Sequence, residues 1–287
     1  MPLVRLATRG SPLARWQADH VAERLRAAHA GLEVELVTVS TEGDRRRDVP
    51  LAEIGGKGVF VKEVQASVLD GRADFAVHSA KDLPAETPNG LVIGAVPERG
   101  DARDALVGST LADLGSGATV ATGSRRRACQ LLDLRPDLEI VDLRGNIDTR
   151  MAKVGEVDAV VVAFAALVRL GRDAEATEVL TPEVMLPQVG QGALAIEARA
   201  DDAATAELLA VLEHGPTRRR LSAERGFLAE LGGDCDLPAG AFAELEGAMV
   251  RVRALLADER GLRRVEVEGE DAERVGRDAA RRLRGDS

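Results

Sequence analysis

Aromatic residues are scarce in this chain of 287 residues, which has no tyrosine, one tryptophan and five phenylalanines. Proteins that bind single-stranded nucleic acids stack the bases on aromatic side chains, and proteins that bind duplexes present a basic face to the phosphates. This chain instead carries a formal net charge of −10 at pH 7. The composition therefore argues against a non-specific nucleic-acid binder, and we expect no nucleic-acid partner.

Long apolar runs are missing as well. No run approaches the about 20 residues that a transmembrane helix needs. The first nine residues show a strand-like pattern and lack the basic-then-apolar layout of an export signal. We therefore expect a cytoplasmic protein without membrane contact, and its length suits about two or three domains.

Cysteine is limited to Cys129 and Cys235, and neither belongs to a C-x-x-C pair. The four histidines show no metal-binding spacing, so no metal site is predicted. We interpret Cys129, in the middle of a predicted helix, as a small buried hydrophobic residue. Cys235 lies in a glycine-rich loop and can serve as a covalent attachment point, because a thiolate is a nucleophile.

Strand and helix patterns alternate over most of the chain, which predicts α/β lobes with mainly parallel sheets. Ser11 and Ser124 are each placed to cap a helix. The pattern over residues 242–268 changes to period-two alternation, which predicts a small α+β C-terminal domain with an antiparallel sheet. The predicted domains are a first lobe of residues 1–97 and 193–212, a second lobe of residues 98–192 and a C-terminal domain of residues 215–287.

Residues 77–84, with the sequence VHSAKDLP, follow the carboxyl end of a predicted strand. Ligands bind at that edge in open α/β sheets. An aspartate beside a lysine, as Asp82 is beside Lys81, stays ionised and can stabilise a cationic intermediate. The alternative is that Asp82 only caps a turn before Pro84, and the spacing leaves both interpretations open.

A second basic motif, TGSRRR at residues 122–127, opens a predicted helix directly after a strand. Free backbone N–H groups and arginine side chains at such a helix start favour an anion site. Arg144 and Arg150 repeat the pattern after the next strand. The alternative is a solvated basic helix start.

A third motif, GGKGVF at residues 55–60, lies in or next to a long polar loop predicted over residues 41–58. Glycines beside an aromatic residue are typical of a mobile lid with a stacking side chain. The spacing of a phosphate-binding P-loop is absent. The alternative is a flexible loop with Phe60 packed into the core.

Taken together and in order, these motifs resemble porphobilinogen deaminases over essentially the whole chain. The fragments that carry the resemblance are A-T-R-x-S-P-L-A-x-W-Q, G-G-K-G-x-F-V-K-E, A-x-H-S-x-K-D-x-P, L-R-G-N-x-x-T-R, L-P-x-V-G-Q-G-A and the late cysteine loop. The resemblance implies two lobes like those of periplasmic binding proteins, and a monomer. It also implies a transferase that joins four porphobilinogen molecules head to tail into hydroxymethylbilane, in haem, chlorophyll and cobalamin biosynthesis.

The resemblance further implies roles for individual residues. Cys235 would carry a dipyrromethane cofactor through a thioether, and Asp82 would be the catalytic carboxylate that stabilises the azafulvenium formed when ammonia leaves. The side chains implied to hold acetate and propionate groups are Arg9, Ser11, Ser79, Lys81, Arg126, Arg127, Arg144 and Arg150. Those implied to line the cofactor cleft are Thr122, Ser124 and Gln191. Lys57 and Phe60 would belong to the lid, and Arg169 would assist as the chain grows.

A protein of a different class shares many of these features. A two-lobed anion-binding protein without catalysis, closing like a solute receptor, would have the same alternating elements and the same arginines at strand ends. It would not need Cys235. Release of ammonia from porphobilinogen separates the two hypotheses.

Overall fold

The computed structural model describes residues 3–41, 61–232 and 237–285. The predictions for Lys57, Phe60 and Cys235 lie outside these residues. The chain divides into two compact units, unit 1 (Met1–Arg99 and Ala193–Arg218) and unit 2 (Gly100–Gly192 and Arg219–Ser287). No helix within the described ranges is both long and apolar enough to cross a bilayer.

Strands and helices alternate along most of the described chain. The strands are β1 (Leu3–Arg9), β2 (Glu33–Val39), β3 (Phe75–Ser79), β4 (Leu91–Ala95), β5 (Asp104–Val107), β6 (Thr119–Ala121), β7 (Glu139–Val141), β8 (Ala159–Ala163), β9 (Glu178–Leu180), β10 (Leu194–Arg199), β11 (Ala239–Glu246), β12 (Met249–Asp258) and β13 (Gly261–Gly269). The α-helices are α1 (Pro12–Ala28), α2 (Lys62–Leu69), α3 (Arg125–Leu134), α4 (Ile147–Met151), α5 (Phe164–Arg169), α6 (Ala203–Leu209), α7 (Gly215–Glu230) and α8 (Ala272–Arg284). Short 3-10 helices cover Ala80–Asp82, Asp173–Glu175 and Ala210–Leu212.

Unit 1 contains a five-stranded sheet in the order β2-β1-β3-β10-β4. Strand β1 runs parallel to β2 and β3, and β10 runs antiparallel to β3 and β4. Successive side chains of a strand point to opposite faces. Leu6 accordingly packs in the core that includes Val21 and Leu25 of α1, whereas Ala7 packs in a core with Val64 of α2. The sheet is therefore covered by helices on both faces.

Unit 2 contains a second five-stranded sheet in the order β7-β6-β8-β5-β9. Strand β6 runs parallel to β7 and β8, and β5 runs antiparallel to β8 and β9. The predicted α/β class with mainly parallel sheets is confirmed. Strands β5 and β9 were not predicted.

The end of the chain in unit 2 is a three-stranded antiparallel sheet, β11-β12-β13, with α8 packed against it. Val250 and Val252 are fully buried, whereas Arg251 and Arg253 alternate with them and form ion pairs with glutamates. Asp271 caps α8 by accepting a hydrogen bond from the backbone N–H of Arg274 at 3.1 Å. The predicted period-two alternation and the antiparallel sheet are confirmed.

Candidate active site

In unit 1, the predicted binding residues lie at the carboxyl ends of two neighbouring parallel strands. Strands β1 and β3 pair in register at Leu6 with Phe75, so β1 ends with Arg9 near the end of β3 at Ser79. Ser11 follows β1 directly and caps α1, since its Oγ accepts a hydrogen bond from the N–H of Ala14 at 3.3 Å. The helix start predicted at Ser11 is confirmed, and this edge of unit 1 collects the first group of candidate residues.

The predicted catalytic residue lies in the short 3-10 helix that follows β3. Ala80 and Leu83 are buried on either side of Lys81 and Asp82, which are both partly exposed. The N–H of Ala80 donates to the carbonyl of Ala193 at 3.0 Å, and the N–H of Leu83 donates to the carbonyl of Ala80 at 3.3 Å. The turn is thus held by buried backbone contacts and presents two charged side chains.

Sequence reasoning missed a buried partner of this edge. Gln17 of α1 is 3% exposed, and its Nε2 donates to Ser79 Oγ at 2.8 Å. The Ser79 hydroxyl in turn contacts Gln17 Oε1 at 3.3 Å. The only signal in the sequence is that Gln17 closes the fragment A-T-R-x-S-P-L-A-x-W-Q. This pair ties the end of β3 to the first helix.

In unit 2, the parallel strands β6 and β7 also lead into basic segments. Arg144 Nε donates to Asp142 Oδ2 at 2.9 Å, and Arg150 Nε donates to the carbonyl of Gly145 at 2.9 Å. The loop after β6 approaches the loop after β7 closely at Gly123. A Cβ atom at that position would lie 2.5 Å from the carbonyl oxygen of Leu143. Only glycine permits this approach, which brings the two predicted anion-binding segments side by side.

The cap of α3 follows the same loop. Ser124 Oγ accepts from the N–H of Arg127 at 3.4 Å, so α3 begins at Arg125 as predicted. Thr122 is buried, and its Oγ1 accepts from the N–H of Ser124 at 3.2 Å. Both hydroxyl groups therefore shape the turn that starts the helix.

A fully buried carboxylate, Asp104, organises the arginines of this helix. Asp104 begins β5 and lies opposite Ala163 at the end of β8. Its Oδ2 accepts from Arg126 at 2.7 Å, and its Oδ1 accepts from Arg127 at 2.6 Å and from Gln191 Nε2 at 2.9 Å. Burial by itself raises the pKa of Asp104, but the two guanidinium groups outweigh it and hold the pKa below its ordinary value.

These contacts remove one alternative from the sequence analysis. Arg126 and Arg127 are 2% and 5% exposed, and they also donate to the carbonyls of Leu186 and Val161. Arg125, the first of the three consecutive arginines, is exposed. The interpretation of residues 122–127 as a solvated helix start is therefore wrong for Arg126 and Arg127, which lie in a buried ion-pair network.

Arg169 ends α5 after the third parallel strand of this sheet. Its guanidinium donates to the carbonyl of Gly192 at 2.6 Å. Burial lowers the pKa of Arg169 to about 10. The side chain is therefore still cationic at neutral pH, although its charge is held at a cost in solvation.

Cys129 differs from its prediction. It is only partly buried in α3, and its Sγ lies 3.2 Å from the carbonyl of Arg126. Burial raises the pKa of the Cys129 thiol.

Among the residues that the structure describes, no three His, Cys, Asp or Glu side chains are grouped so that they could hold a metal ion.

Fold and site together define an α/β protein whose basic side chains gather at the carboxyl ends of parallel strands. Residues 4–207 match the sequence profile of the porphobilinogen deaminase dipyrromethane cofactor binding domain, and residues 219–285 match that of the porphobilinogen deaminase C-terminal domain. The chain belongs to the porphobilinogen deaminase family, which confirms the resemblance drawn from the sequence motifs.

Individual relatives agree with this assignment. The porphobilinogen deaminase of Nitratidesulfovibrio vulgaris, strain Miyazaki F, is 50% identical, covering 97% of this chain and 92% of its own length. That of Maridesulfovibrio salexigens is 47% identical, covering 96% and 92%. Among solved structures, the methionine binding protein MetQ is similar with a TM-score of 0.45 and 14% identity, covering 79% of this chain and 94% of that protein.

Proposed function

We propose that this protein is a hydroxymethylbilane synthase, which condenses four porphobilinogen molecules head to tail and releases one ammonia at each addition. The observation that carries the proposal is that Asp82, a partly exposed carboxylate, follows a strand end in a chain of this family whose other strand ends carry cationic side chains. Each step breaks the bond from the aminomethyl carbon of the incoming porphobilinogen to nitrogen, which leaves as ammonia. That carbon then bonds to the terminal pyrrole ring of the chain already held by the enzyme, and the ring carbon that is attacked loses its proton. Water adds to the last methylene carbon when the finished chain is released as hydroxymethylbilane.

The binding roles follow from the charge of the substrate. Each porphobilinogen carries an acetate and a propionate, and arginine forks bind such carboxylates with two parallel hydrogen bonds. In unit 1, Arg9, Ser11, Ser79 and Lys81 supply the donors. In unit 2, Arg144 and Arg150 supply them. Arg169 supplies a further cation as the product grows.

The catalytic role belongs to Asp82. A positive charge develops on the substrate pyrrole when ammonia leaves, and a preorganised carboxylate stabilises such a charge. The carboxylate accepts a hydrogen bond from the pyrrole N–H and so orients the ring for attack. Lys81, next to it in the same 3-10 helix, binds a substrate carboxylate and keeps the substrate in register.

The residues of unit 2 fit a dipyrromethane cofactor. Arg126 and Arg127 bring two positive charges to the single negative charge of Asp104, and the buried Nε of Arg126 has no hydrogen-bond partner within the described residues. A buried excess of positive charge favours an anionic ligand. The cofactor carboxylates would be held by Arg126 and Arg127, with Thr122, Ser124 and Gln191 around them. When bound, the cofactor supplies the pyrrole end to which the first substrate is joined.

Three further parts of the proposal concern residues outside the described ranges or the state of the protein in solution. Cys235 forms the thioether to the cofactor, and Lys57 and Phe60 belong to a lid over the substrate. The protein acts as a monomer in the cytoplasm. Light scattering of the purified protein checks the monomer, for which a dimer mass would be the contrary result.

The covalent cofactor gives a direct test of this function. The protein should be produced where porphobilinogen is available. Its mass, measured on the intact chain by mass spectrometry, should then exceed the sequence mass by two pyrrole units. Cys235→Ser should abolish the excess, whereas the control Cys129→Ser should retain it, since the Sγ of Cys129 lies against the carbonyl of Arg126 in its own helix. The wild-type protein should also release ammonia from porphobilinogen. An unmodified wild-type chain that releases no ammonia would instead favour an anion-binding protein without catalysis.

A further inference from the structure

A buried polar cluster lies on β3, the strand that leads to the catalytic turn. Its members are His78 of β3, Glu197 of β10 and Gln65 of α2, with exposed fractions of 5%, 1% and 4%. Antiparallel pairing places His78 opposite Ala195, and Ala76 opposite Glu197. His78 and Glu197 are therefore diagonal neighbours on one face of the sheet, within reach of each other.

The contacts within this cluster converge on the carboxylate of Glu197. Gln65 Nε2 donates to its Oε2 at 2.9 Å and also lies 3.2 Å from its Oε1. His78 Nε2 lies 3.1 Å from the same Oε2, which is ion-pair distance, although the alignment is poor for a hydrogen bond. Apolar side chains of the neighbouring core, including Val64 and Val68, cover this face of the sheet.

Burying these polar side chains costs free energy that apolar side chains packed in the same place would not cost. A buried carboxylate needs compensating partners, and replacing such a group with a well-packed apolar residue is often neutral or stabilising. The cluster therefore points to a role beyond the core. Gln65 holds the Glu197 carboxylate in one orientation, and that orientation sets the 3.1 Å contact with His78.

That geometry bears on the catalytic turn. His78 directly precedes Ser79, and their side chains point to opposite faces of β3. On the face of α1, Ser79 is held by Gln17 at 2.8 Å. On the face of α2, His78 is held against Glu197. The end of β3 is thus fixed from both faces immediately before the 3-10 helix that carries Asp82.

We propose that His78 and Glu197 are positioning residues for the reaction, because their contact fixes the end of β3 and through it the place of the Asp82 carboxylate. This role rests on the function proposed above. A catalytic group displaced by about 1 Å can cost about 100-fold in rate. Both side chains are buried, and Ser79 is also held by Gln17 from the other face of the sheet, so we expect their loss to lower kcat more than it raises KM.

A double-mutant cycle in the holoenzyme, with cofactor content verified by mass, tests the contact. Glu197→Gln and His78→Asn should each lower kcat by about 10- to 100-fold with KM nearly unchanged. Since both break the same contact, the double variant should be no slower than the slower single variant. Losses that multiply in the double variant, or single variants with kcat within about two-fold of wild type, would overturn the proposal.

A matched control separates positioning from general instability. Asp202 caps α6 by accepting from the N–H of Thr205 at 3.0 Å, beyond the end of β10 that lies away from Ser79. Asp202→Ala should lower the melting temperature by several degrees without lowering kcat. An equal loss of kcat in Asp202→Ala would overturn the positioning role.

Two further measurements keep the test decisive. If Glu197→Gln does not fold, Gln65→Met replaces the amide that holds Glu197 with an apolar group of similar length and should lower kcat several-fold at nearly constant KM, whereas an unchanged kcat would count against the proposal. A wild-type protein that releases no ammonia from porphobilinogen would contradict the proposed function itself. If the wild type is active and the cluster variants have an unchanged kcat, only the positioning role is contradicted.

Discussion

Both units have an aspartate that lies among basic side chains where parallel strands end, and Asp82 and Asp104 have opposite surroundings. Asp82 of unit 1 lies partly exposed in a short turn beside Lys81. Asp104 of unit 2 is fully buried and accepts from Arg126, Arg127 and Gln191. The same strand-end architecture therefore supports a carboxylate that can meet a ligand and one that is saturated by its own protein.

The difference follows from how a buried charge is stabilised. Removing a carboxylate from water costs several kcal/mol, and Asp104 recovers this through two guanidinium groups and an amide. Such an acid holds its partners in place and has no role in binding a cation. Asp82 keeps part of its access to solvent and joins no buried network within the described ranges, so its carboxylate is available to a substrate. The contrast supports a structural role for Asp104 and agrees with the catalytic role proposed for Asp82.

The largest expected effect on stability is that of Asp104→Asn. The variant leaves two buried guanidinium groups without their carboxylate, and breaking a buried pair in this way costs about 3–5 kcal/mol. Urea unfolding of the wild type and the variant measures the difference. The control Asp133→Asn breaks a partly exposed pair with Arg264 at 2.9 Å and should cost less than about 1 kcal/mol. Equal losses in the two variants would erase the contrast.

The pH dependence of the same difference tests its electrostatic origin. The folded protein holds the pKa of Asp104 below its ordinary value of about 4. The ionised carboxylate therefore adds stability at pH values above this ordinary pKa. The gain is lost as the pH falls toward the lower pKa of the folded state. The gap between wild type and Asp104→Asn should therefore be constant from pH 8 to 6 and shrink in acid, on the order of pH 4 and below. A gap that widens in acid would contradict this sign.

A smaller effect of opposite sign is expected at Arg169. Burial lowers its pKa to about 10, so its charge is held at the expense of stability at neutral pH. Arg169→Met removes that cost together with the polar contacts of the guanidinium, among them the hydrogen bond to Gly192, and should leave the free energy of unfolding unchanged or raise it by about 1–2 kcal/mol.

The neighbouring Arg172 is the control for this variant. Arg172 forms ion pairs with Asp148 and Glu175, and its pKa is raised. Arg172→Met should therefore be neutral or slightly destabilising, by less than about 1 kcal/mol. If thermal unfolding shows that Arg169→Met is less stable than Arg172→Met, the guanidinium of Arg169 stabilises the fold and is not a group kept for ligand binding at a cost in stability.

Features set by local sequence were predicted well. The helix starts at Pro12 and Arg125 follow from the serines that cap them, because capping depends on residues two or three positions away. The alternation of Val250 and Val252 with arginines gave the antiparallel sheet. The motifs at strand ends and the family resemblance together supplied the candidate site residues, and the roles of these residues stay predictions.

Features that depend on distant residues were missed. Asp104 lies 22 positions from Arg126, and its strand is too short for a detectable period, so nothing local marks it as the partner of the arginines. Three consecutive arginines likewise do not reveal which of them point inward. The helical phase decides this, since Arg126, Arg127 and Gln130 share the buried face of α3.

The most direct measurement of the contrast is the rate of ammonia release from porphobilinogen by Asp82→Asn, prepared as the holoenzyme. Since Asp82 is partly exposed and joins no buried network among the described residues, we expect the variant to keep the melting temperature of the wild type within a few degrees. Its kcat should fall by about 100- to 1000-fold or more, the cost of removing one key electrostatic group from a reaction centre. Turnover close to that of the wild type would show that the chemistry depends on another group and would contradict the catalytic role of Asp82.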